Sequence, residues 1–149
     1  MNAPGWNRSD RQGSLRQWIE MLNEEARRQF LEAGTHVEIF FIFGDDGLLE
    51  VVPIVGMEKP DIVIGLKKML AERNGYAFIH LAEATARHMD SAAEADVLLV
   101  HAESRDGLSV AWCSAVAKQG ERKLLLDPVM VDGAKLAGQF AHIFADRQP

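Results

Sequence analysis

One segment, His36 to Ile54, limits what this chain can fold into more than any other. In an extended chain Val37, Ile39, Phe41 and Phe43 fall on one side, and Glu38, Phe40 and Ile42 on the other. Gly44-Asp45-Asp46-Gly47 has turn composition, and Leu48 to Ile54 supplies a return strand. Pairing Phe43 with Leu48 sets Ile39 opposite Val52 and Phe41 opposite Glu50. It gathers Phe40, Ile42, Leu49 and Val51 on the other face. A hairpin apolar on both faces must be covered on both, by helices or by a second subunit.

The flanking sequence offers such helices. Ser14, with Gln17 three residues on, forms a capping-box pattern, and Leu15, Trp18, Ile19, Leu22, Ala26 and Phe30 follow at helical spacing up to Gly34. Pro60 and Asp61 open a second helix with Ile62, Leu66, Met69 and Leu70 on one face; the β-branched run Ile62-Val63-Ile64 before Gly65 keeps a short strand open there. Strands are expected at 76–82, 96–103, 108–117 and 122–126, with Pro128 interrupting the last. Residues 83–95 read as a long connection or a short helix, and Asp132 caps a final helix carrying Leu136, Phe140, Ile143 and Phe144. The order α-β-β-α-β-β-β-β-α predicts an α+β fold, a mostly antiparallel sheet of about six strands covered by two or three helices. Residues 1–13 read as a mobile polar tail in which Trp6 alone offers a docking group, and 14–149 as one domain.

Composition narrows the function classes. Sixteen lysines and arginines against 22 aspartates and glutamates leave a formal charge of -6, which argues against nucleic acid as a partner. The longest apolar run, Ile39–Phe43, falls far short of the roughly 20 residues of a membrane span. The single cysteine, Cys113, excludes an intramolecular disulfide, and the N-terminal residues carry no secretory pattern, so a cytoplasmic setting is expected.

No phosphate-binding glycine loop, nucleophile elbow, zincin helix or paired C-x-x-C occurs. Two scattered sets remain. His80, His88, Asp90 and His101, with Glu83 nearby, supply imidazole and carboxylate suited to a divalent metal, and three such ligands plus water would make a hydrolytic centre. The simpler reading of His80 and His101 is a pair of half-buried strand residues. If Ser104 pairs with Leu108, His101 lies opposite Ala111 and diagonal to Cys113, with Glu103 on the same face; such a group could activate a thiol. A lone cysteine is more simply a small buried apolar residue.

The leading expectation is a small soluble binding or interaction module, acidic and homo-oligomeric, with a protein or small-molecule partner and no cofactor. The alternative is a metal-dependent hydrolase built on the histidine and aspartate cluster around residues 83–95.

Overall fold

The structure, a computed structural model, describes residues 3–87, 94–132 and 143–144. A 3-10 turn (Arg8–Asp10) leads into helix α1 (Arg11–Ala33), then β1 (Glu38–Gly44), β2 (Gly47–Ile54), α2 (Lys59–Glu72), β3 (Ala77–Arg87), β4 (Glu94–Ser104), β5 (Ser109–Gln119), β6 (Arg122–Leu125) and β7 (Val129–Asp132). The strands form one antiparallel sheet ordered β2-β1-β3-β4-β5-β6, with β7 also paired to β5. The α+β expectation holds, with one strand more than the sequence pattern indicated. β6 and β7 pair with successive halves of β5, and the missing N–H of Pro128 lies in the break between them.

Alternation along each strand sorts the core into two layers. Phe43, Ala77, Ile79, Leu81, Leu98, Val100 and Ala102 face α1, whose Leu15, Trp18, Ile19, Leu22, Ala26 and Phe30 are all buried against them. Phe40, Ile42 and Phe78 face the other way, against Ile62, Leu66 and Leu70 of α2 and against Ile143 and Phe144. Each buried leucine, isoleucine, valine or phenylalanine contributes about 1.5–3 kcal/mol, so the two helical stripes are what hold the sheet between them. Among the described residues no helix is long and apolar enough to cross a membrane.

Several local expectations are corrected. α1 begins at Arg11, not Ser14, because the Asp10 carboxylate accepts from the Gly13 N–H at 3.1 Å and is the effective N-cap. Ser14 is buried, and its Oγ donates to the Asp10 carbonyl at 2.9 Å and accepts the Asn7 N–H at 2.9 Å. Gly34 ends the helix as expected, at φ 76°. Trp6 does dock: its ring stacks on Phe43 at 5.3 Å and its Nε1 donates to the Asp45 carbonyl at 2.8 Å.

The hairpin register also differs. Phe43 faces Leu48, but a bulge follows, so Phe41 faces Val51, Phe40 faces Val52 and Ile39 faces Pro53. Finally, most of the expected long connection is strand. β3 and β4 pair continuously from Ala77↔Ser104 to Arg87↔Glu94. The β-branched and small residues of 83–87 and 94–98 sustain the ladder that their polar neighbours obscured. The expected final helix lies outside the described residues apart from Ile143 and Phe144.

Candidate functional site

The strands place the sequence-selected histidines side by side. His80 and His101 are directly opposed in the β3–β4 ladder, on the face turned toward α2. They are 4% and 2% exposed, so both rings are sealed from solvent. His80 stacks on Phe40 at 4.3 Å with ring planes 8° apart, and His101 meets the Phe78 ring edge-on at 5.7 Å. Their Nε2 atoms lie 3.5 Å from Glu38 Oε1 and 3.8 Å from Glu103 Oε2, respectively. The His80 imidazole beside it is the main cause holding the Glu38 carboxyl below its ordinary range; burial opposes it and Lys59 reinforces it. Glu103 accepts the backbone N–H of Phe144 at 3.0 Å, fastening the C-terminal region to the sheet.

The other members of that set do not join them. Glu83 belongs to the opposite, α1-facing side of β3, where its carboxylate accepts from the Thr35 hydroxyl at 2.7 Å and from the His36 N–H at 3.3 Å. His88 and Asp90 lie outside the described residues. Among the described residues no three His, Cys, Asp or Glu side chains converge in an arrangement that would hold a metal ion.

Cys113 stands where the pairing argument put it. Ser104 N–H donates to the Leu108 carbonyl, His101 faces Ala111, and Cys113 faces Leu99 on β4 and Val129 on β7. It is half-buried, and burial pushes its thiol up, opposite to the shift that activates a nucleophile.

The feature that sequence reasoning missed is an apolar groove between α2 and the β1–β2 hairpin. Phe40, Ile42, Val52 and Ile54 form its sheet wall, and Ile62, Gly65, Leu66 and Met69 its helix wall, with Met57 at the connection. Its cavity volume is about 140 Å³, and it opens to solvent. Val52 and Ile54 reach it because the bulge rotates the outer strand, which is why the regular register did not reveal it. Gly65 is the one signal that could have done so. A glycine in a helix interior costs about 0.5–1 kcal/mol relative to alanine, and here a Cβ would meet nothing within 4 Å. The fold does not require a glycine there, and Gly65 lines the groove.

Comparison with known protein families, with characterised proteins and with solved structures finds no match.

Proposed function

We propose that this chain is a binding module whose working surface is the apolar groove between α2 and the β1–β2 hairpin. The observation that carries the reading is the groove itself: an open concavity lined by apolar residues, lipped by a helix-interior glycine with free space above it. Binding sites are predominantly apolar concavities, and a fully apolar lining selects an apolar group, not a charged or sugar-like one. The exposed Val55 and Met57 beside it, 83% and 51% accessible, extend the apolar surface beyond the concavity and favour a protein partner. The histidines and Cys113 act in this reading as parts of the sheet.

The test is titration with the neutral apolar fluorophore Nile red, on the wild-type chain and on Gly65→Leu. The leucine has room on its own chain and is a better helix former, so the fold stays intact while the groove is filled. Saturable binding weakened at least about tenfold by the substitution is expected, with an unchanged or higher melting temperature. Equal binding by the two proteins, or none by either, overturns the reading.

A further inference from the structure

The outward face of α2 has a symmetry of its own. Asp61, Ile64, Gly65, Lys68 and Glu72 recur at helical spacing and are all exposed, Ile64 to 65%. Ile64 and Gly65 stand near the middle of the helix Lys59–Glu72, midway between Asp61 and Lys68. Asp61 lies one turn before them and Lys68 one turn after. When two such helices lie antiparallel about a twofold axis between Ile64 and Gly65, Asp61 of each copy stands level with Lys68 of the other. Opposite charges then meet twice, the apolar Ile64 side chains come together at the axis, and Gly65 removes the side chains that would hold the backbones apart.

We infer that this face of α2 is the twofold interface of a homodimer, an antiparallel α2–α2 pair with Asp61 of each copy against Lys68 of the other. The inference rests on the binding-module reading and names the partner as a second copy of the chain. Three features select that partner. The charge order reverses about the Ile64–Gly65 step, so the face is complementary to itself. Ile64, the large apolar side chain that stands out from the face, sits at that step, beside the glycine. The face is also continuous, through Gly65 and Met57, with the groove and its exposed rim. Lys68 lies 3.9 Å from Glu72 on its own helix, an exposed contact that leaves its ammonium able to reach a second carboxylate.

The experiment is sedimentation equilibrium of the full chain at low salt, on the wild type, Asp61→Lys, Lys68→Asp and an equimolar mixture of the two variants. The wild type is expected to form dimers that dissociate in the micromolar range. Each variant alone sets like charges against each other twice and dissociates about tenfold more readily. The mixture restores association, because one chain then offers lysine at both positions and the other aspartate at both. A change in the stability of either fold would not produce that rescue. Gly65→Trp, which has open space on its own chain, gives a folded monomer. A wild type that stays monomeric up to about 1 mM, or a mixture no more associated than its components, overturns the dimer. A monomer that still binds the fluorophore in a Gly65-dependent way would leave the groove reading standing while this one falls.

Discussion

Tyr76 is the only tyrosine in the chain, so its titration can be followed without ambiguity through phenolate absorbance. It is wholly buried at the end of the sheet. Its hydroxyl donates to Asp106 at 2.8 Å to one carboxylate oxygen and 3.0 Å to the other, and the Arg11 guanidinium lies 4.5 Å from the ring centroid. Burial first, and then the hydrogen bond to the Asp106 carboxylate, push the phenol from 10.0 to about 12; Ser104 and Arg11 act in the opposite direction and are outweighed. The folded value lies above the unfolded one. The contribution to stability is therefore complete below the unfolded value and is lost as pH rises through the folded one. The displacement corresponds to at most about 2.7 kcal/mol. A domain with about 5–15 kcal/mol in hand stays folded through most of that loss. Absorbance and far-ultraviolet circular dichroism should be recorded together as pH is raised. The expected result is a phenolate midpoint near 12 in the folded chain and near 10 in urea. A midpoint near 10 with native circular dichroism would refute the reasoning, since it would mean that the hydroxyl meets water and not Asp106. Tyr76→Phe should cost about 1.5–3 kcal/mol at neutral pH and flatten the alkaline limb.

The acid side of the same pair supplies another prediction. Burial raises the Asp106 carboxyl, but hydrogen bonds from Ser104, Tyr76 and Gln12 and the charge of Arg11 outweigh it and hold it below its ordinary range. Its contribution is present above that range and lost as pH falls, so Asp106→Asn should make urea stability less dependent on pH on the acid side; an unchanged dependence would contradict the assignment. Trp6→Ala removes the stack on Phe43 and the bond to the Asp45 carbonyl and should cost about 2 kcal/mol in urea unfolding, whereas a loss below about 0.5 kcal/mol would mean that the N-terminal segment adds nothing to the fold. Cys113 should react slowly with iodoacetamide at neutral pH and rapidly in denaturant; fast reaction of the native chain would show an activated thiol after all.

What could be read in the sequence follows the range of the forces concerned. The α1 stripe and the Gly34 stop depend on neighbours within a few turns, and both were legible. So was the Ser104–Leu108 turn, and from it the relation of His101 to Ala111 and Cys113, because a tight turn fixes the pairing beyond it. Parity along β3 decided that Glu83 and His80 occupy opposite faces, although sequence proximity had grouped them. The burial of His80 and His101 was not legible as such, because it comes from Phe40, Phe78 and the distant Phe144. The strand reach of 83–87 was hidden for a related reason: its polar and small residues gain strand structure from a ladder already begun by Ala77–Ala82.

The groove depends on a single extra residue. At the hairpin end Gly44 has no side chain, and the Leu49 side chain lies across it; a Cβ there would come within 3.0 Å of Leu49. Leu49 thus occupies the bulge, and every later residue of β2 is turned over relative to a regular ladder. Without the bulge Val51 would face α2, and Val52 and Glu50 would face away. With it, Val52 and Ile54 complete the groove wall, while Val51 is left 45% exposed on the opposite face. Glu50 comes round to the α2 side, where Arg73 at the helix end meets its carboxylate at 3.2 Å. That ion pair is exposed and adds little stability, but it sits where α2 must be held against the rotated strand. The apolar surface of the hairpin is therefore divided unequally by one glycine and one leucine. One side becomes an open groove under α2, and the other leaves Val51 exposed.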